Sequence, residues 1–236
     1  MMIVTVVSSW DSWVRGTEAS MPLEGELKHR LERALSVVDD HGTRGTRLLE
    51  DAQRVCARIK RFIAKGVVPP ETDSTAIEIA CFALQLPLKA TKNAPAGKLG
   101  RTNLRERTEQ AAEMLVGIAG DAGNEALIDQ TTQILTQVHQ RKPASDQAML
   151  LADALNLEDF GVAGLLVQAI QIARQGGGVM QVADGCEKRE QYGYWEARLK
   201  DGFHFEQTRA IARKRLDHAR KMAALLIGEL KDDGAL

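Results

Sequence analysis

Apolar residues recur along this chain at intervals of three and four, and nowhere alternate with period two for long enough to make a strand. In LEGELKHRLERALSVV, Leu27, Leu31, Leu35 and Val38 fall four, four and three apart, which on a helix is a single stripe. A lone stripe of this kind must be buried against other stripes, so the pattern predicts helices packed on helices. Gly42 and Gly45 in DDHGTRG interrupt it, and a second helix is expected from Thr46 to Lys65. GVVPPETD then removes backbone donors and fixes φ, which ends that helix.

STAIEIACFALQLPL is nearly uncharged and apolar all round, the signature of a central buried helix. After the loop KATKNAPAGKLGRT, either Asn103 with Glu106 three residues on or Thr102 is expected to cap LRERTEQAAEMLVGIAG. NEALIDQTTQILTQVH is a further amphipathic helix, and another is expected from Val162 to Ala173, ended by QGGG. VADGCEKREQYGYWEARLKDGFHF is mixed, and a long helix fills EQTRAIARKRLDHARKMAALLIGEL. No repeat and no low-complexity linker divides the chain, so residues 21–236 are expected to form one all-α domain with a long C-terminal helix. Met21 is an alternative start, and in that reading residues 1–20 are a flexible leader.

The composition narrows the function. Aromatics are only 4%, and the formal net charge of -1 gives no global field for nucleic acid or an anionic membrane. Cys56, Cys81 and Cys186 are far apart, with no CxxC pair, so they are expected as small buried hydrophobes in a reducing cytoplasm. The histidines His29, His41, His139, His204 and His218 make neither HExxH nor HxH, so a metal site would have to be assembled from distant segments. Ser74, Ser145 and Cys186 have no base partner by motif.

Three stretches nevertheless follow one another in a suggestive order: HGTRGTRLLEDAQRVCARI from His41, IEIACFALQLPLK from Ile77, and AMLLADALNLEDFGVAGLL from Ala148. With LRERTEQAAEMLV between the second and third, this succession resembles the HD-domain superfamily of divalent-metal phosphohydrolases, most strongly over residues 39–173. The resemblance implies a helical domain whose metal is held by a histidine in the first stretch, a His-Asp pair ending the buried helix and an aspartate in the third. Here Gly45 stands at the first histidine, Gln85 and Leu86 at the His-Asp pair, and Leu104 at an outer histidine, while Lys89 keeps its type. Asp153 alone matches a ligand position, with Leu155 at a second aspartate and Glu158 near a third.

One aspartate does not hold a catalytic divalent ion. The expected function is therefore that of a binding or regulatory module that has lost phosphohydrolase activity, with no catalytic residue and no cofactor assigned. The alternative is an active phosphohydrolase in which Asp40, His41, Asp153 and Glu158 gather round Mn or Mg. A third reading is a scaffold that oligomerises through the terminal helix. Asp153 lies on an apolar-flanked side, where a carboxylate needs a partner, and a cation of the chain is expected there, Lys89 or an arginine first. Asn156 or Asp159 is expected to cap the helix that follows.

Two other regions carry chemistry. Lys89, Lys92, Lys98, Arg101 and Arg105 precede the first acid, Glu106, and run into a helix N-terminus, a candidate site for a phosphorylated small molecule. Its alternative is a solvated basic loop. Tyr192, Tyr194, Trp195, Phe203 and Phe205 crowd one stretch, read as a satellite core that seats the last helix, or else as a stacking wall with Arg198, Lys200 and His204 as handles. On the last helix Ile211, Leu216, Ala219, Ala223, Leu226 and Leu230 are expected inward. Its basic residues form a solvated face rather than a nucleic-acid or membrane surface.

Overall fold

The computed structural model describes residues 23–36, 47–90, 103–120 and 124–234. Those residues form helices and connecting turns without a strand: α1 (Leu23–Leu35), α2 (Leu48–Ala64), α3 (Thr75–Ala83), α4 (Leu86–Ala90), α5 (Leu104–Ala119), α6 (Glu125–Val138), α7 (Asp146–Asn156), α8 (Val162–Arg174), α9 (Val179–Gln191), α10 (Tyr194–Asp201) and α11 (Glu206–Asp232). The alternative start and leader, with Asp40, His41, Gly45, Lys92, Lys98 and Arg101, lie outside the described residues.

The expected central helix is central. Ala76, Ile77, Ile79, Ala80, Cys81, Phe82 and Ala83 are all buried in α3, which packs against α1, α2, α5, α6 and α7. Leu27, Leu31 and Leu35 turn their stripe inward from α1, and Val55, Ile59 and Phe62 do so from α2. The run expected as one helix over 74–88 is two, broken at Leu84 and Gln85. Pro87 has no N–H for the carbonyl four residues back, and its ring crowds that turn, so the chain restarts as the short α4.

Helices α8 to α11 form a second group, in which α11 packs against α8, α9 and α10. The mixed region resolves into α9 and α10, separated by Tyr192 and by Gly193 at φ 62°. The expected satellite core is met only in part: Trp195 and Phe203 are buried and continue the main core, Phe205 packs partly buried against it, and Tyr192 and Tyr194 are exposed. Phe160 meets Trp195 and Phe203 edge to face, with ring centroids 5.1 and 5.3 Å apart. Along α11 the burial fades. Ala212 and Leu216 are buried, whereas Ala223, Leu226 and Leu230 are only half-buried and Leu225 is exposed. No helix among the described residues is long and apolar enough to cross a membrane.

Candidate functional site

Asp153 joins the two helix groups. It sits in α7, completely buried, and its side chain accepts from the backbone N–H of His204 at 2.8 Å, from that of Phe205 at 3.1 Å, and from the Thr208 hydroxyl. The expected cation is absent from this set. The partner is instead the N-terminus of α11, whose own N-cap residue, Phe205, has no side chain able to accept. A carboxylate from another helix therefore supplies the cap, and the positive end of α11 supplies the compensation expected from a lysine. Burial pushes the Asp153 carboxyl above its ordinary range, against the hydrogen bonds from Thr208, His204 and Phe205 that pull it down.

Of the basic set proposed from sequence, Lys98 and Arg101 lie outside the described residues. Lys89 reaches the other way, its Nζ donating to the Ala34 carbonyl at the end of α1 at 2.5 Å. Arg105 is exposed in the first turn of α5 and pairs with Glu109 at 2.9 Å, and Asn103 caps that helix by accepting from the Arg105 N–H at 3.2 Å. Gln85 and Leu86 are buried, and Gln85 Oε1 has no hydrogen-bond partner among the described residues.

The described residues do not fit a divalent ion. No group of three or more His, Cys, Asp or Glu converges among them. The Asp153 carboxylate faces three protein donors, Glu158 faces two arginines, and Leu86 presents hydrocarbon.

The site with chemical potential lies one turn further along the same stretch. A cavity of about 480 Å³ opens between α2, the start of α8 and the middle of α11, and Arg54, Arg58, Arg61, Lys65, Arg215 and His218 line it. Helical spacing puts the first four on one face, because 54, 58, 61 and 65 are separated by four, three and four. Among the described residues Glu158 is the one acid in the lining. Its side chain, 8% exposed, meets Arg58 at 2.7 Å and Arg54 at 2.5 Å. Burial alone would raise its carboxyl, but the hydrogen bond from Arg54 and the charges of Arg58 and Arg54 prevail and hold it below the ordinary range.

Positive charge remains in excess. Arg54 also meets Asp51 at 2.6 Å, Arg58 donates to the Ala154 carbonyl at 2.5 Å, and Arg215 donates to the Leu157 carbonyl at 3.2 Å. Arg61 and Lys65 are exposed and have no acidic partner among the described residues. Burial, then the neighbouring Arg58 guanidinium, push Arg215 below its ordinary value. Glu158 opposes this, while Arg61 and Arg54 add to it. A guanidinium stays charged at neutral pH, so this depression, owed first to burial and second to the neighbouring guanidiniums, is no proton switch.

The start of α8 adds to that field. Neither Asn156 nor Asp159 caps it, contrary to expectation. Asn156 donates to the Gly202 carbonyl and accepts from Arg198, and Asp159 pairs with Arg198 at 2.9 Å. The N-cap is Gly161, at φ 93°, where an added Cβ would stand 3.2 Å from the Arg215 Cβ. Glycine is thus required by both its backbone and the approach of α11. No side chain caps α8, and its first residues, Val162 and Ala163, line the cavity.

The sequence predicts the helix that carries Arg54, Arg58 and Arg61 but assigns these three no role. The available signal was their shared face, but nothing in the sequence said that Glu158 and Arg215 would meet it. No family model matches this chain, no curated protein matches it, and no solved structure matches it.

Proposed function

We propose that this chain is a helical binding module for a phosphorylated ligand, seated in the basic cavity between α2, α8 and α11. The observation that carries the reading is the charge of that cavity: five cationic side chains, Arg54, Arg58, Arg61, Lys65 and Arg215, surround one carboxylate at the uncapped start of a helix. A phosphate offers several acceptor oxygens and negative charge, which suits convergent guanidinium donors and open backbone N–H groups. Arg61 and Lys65 are free to close on it, while Arg54 and Arg58 are oriented by Glu158. Within this proposal the chain is a degenerate relative of the HD-type domains. The order of segments and the placement of Asp153 beyond a buried central helix support that reading, with metal chemistry lost and anion binding in a cavity that Gln85, Leu86, Lys89 and Asp153 do not line.

Titration of the full chain with inorganic pyrophosphate, followed by calorimetry and thermal melting, tests the proposal. Saturable binding and a rise in Tm are expected, and Arg61→Ala and Lys65→Ala should each weaken binding about tenfold. Neither side chain makes an ion pair among the described residues, so both variants should melt as the parent does without ligand. Absence of saturable binding, or unchanged affinity in both variants, overturns it.

A second reading, self-association, rests on Val162, Leu166 and Ile170, which are exposed at four-residue spacing along α8. Light scattering at high concentration should then give a dimer that Leu166→Glu converts to monomer, and a strict monomer removes this reading.

A further inference from the structure

A second cavity, of about 600 Å³, lies on the other side of α11, between α8, α9 and α10. It falls within the usual size of small-molecule sites, about 300–1,000 Å³. Leu165, Trp195, Leu216, Ala219, Ala223 and Ile227 give it an apolar wall. The two alanines lie on the face of α11 that the neighbouring helices leave hollow. Larger side chains at 219 and 223 would close the space as ordinary core, so the opening follows directly from the sequence.

Most charges at the mouth neutralise one another. Arg220 is held by Glu190 at 2.7 Å and by Glu196 at 2.6 Å, and Asp159 is held by Arg198 at 2.9 Å. Arg189 differs. Its guanidinium lies over the rings of Tyr194 and Trp195, 5.4 and 5.5 Å from their centroids, and donates to Gln168 Oε1. No acidic side chain pairs with it among the described residues. A half-buried cation is thus fixed at the edge of an apolar hollow by two aromatic faces.

We propose that this cavity binds an apolar molecule carrying a single carboxylate, an acyl-chain monocarboxylate, with its chain along Ala219 and Ala223 and its carboxylate on Arg189. Apolar burial supplies most of the affinity, and the charge-assisted bond fixes orientation. A second negative charge on the ligand is disfavoured because Glu187 also lines the cavity. The two cavities share only Gly161 in their linings, and the proposal does not depend on the function of the basic cavity.

Calorimetric titration of the full chain with dodecanoate and with methyl dodecanoate, both below micelle formation, tests this. Saturable one-to-one binding of dodecanoate is expected, undisturbed by pyrophosphate. Ala223→Phe, which fills the hollow, should abolish it. Arg189→Gln should weaken dodecanoate about tenfold and leave the methyl ester unchanged, so the test survives if the phenylalanine variant fails to fold. No saturable binding, equal binding of acid and ester, or undiminished binding by a folded Ala223→Phe overturns the proposal. So does a dimer that Ala223→Phe dissociates, because the occupant is then a second copy of the chain.

Discussion

Replacing Asp153 by alanine should destabilise the protein by about 3 kcal/mol, read as a drop in the denaturant midpoint with little change in slope. The side chain is fully buried and its oxygens accept from two backbone N–H groups and the hydroxyl of Thr208, itself completely buried. Truncation leaves these donors facing a small void at the start of a helix that runs from Glu206 to Asp232. Each stranded donor costs about 1–3 kcal/mol, partly relieved if water enters. Asp153→Asn should cost nearly as much, because its amide group turns one acceptor into a donor aimed at donors. Thr208→Val removes one of the three bonds and should cost about 1–2 kcal/mol. It should also raise the Asp153 carboxyl further, visible in the carboxyl carbon shift on titration, since that hydrogen bond opposes burial. An Asp153→Ala variant as stable as the parent would mean that α11 is seated by apolar packing alone.

The same residue shows where sequence reasoning reached and where it stopped. That Asp153 must be buried and must have a partner followed from its leucine and alanine neighbours. The partner did not follow, because a helix N-terminus leaves no residue type to recognise. Its donors are backbone groups, and Phe205 and His204 carry no mark of the role. The central helix was legible because seven of its residues are apolar and buried on every side. The break at Leu84 was marked by Pro87 yet overridden by the continuous apolar run. The start of α7 carries no basic or periodic mark beside its acids, although Ser145 caps it by accepting from the Ala148 N–H at 3.2 Å. The basic cavity was the least legible feature. Its parts come from residues 54–65, 157–167 and 211–218, each an ordinary amphipathic segment by itself. Charge convergence is a property of helix packing, and packing distances are not encoded in any one period.

Glu158→Gln should give the other large effect and connect stability to binding. The carboxylate is the only acid in the cavity lining among the described residues and pairs with Arg58, whose side chain is 9% exposed. Removing one partner of a buried pair leaves the other charge uncompensated, at a cost of about 3 kcal/mol here. Arg54 and Arg215 add repulsion, since both already act on the same cluster. The pH dependence has a definite sign. The folded-state carboxyl of Glu158 lies below its ordinary value of 4.5, so its stabilisation is complete above that pH. It is lost as pH falls through the lower folded value. The parent should therefore lose stability on the acid side more steeply than Glu158→Gln, and the two curves should converge there. An anion offers a second way to compensate the same field. Pyrophosphate at neutral pH should raise the Tm of Glu158→Gln by more than that of the parent, and should bind the variant more tightly. A variant that loses stability but gains nothing from pyrophosphate would make the arginine cluster a purely structural lock between α2 and α7.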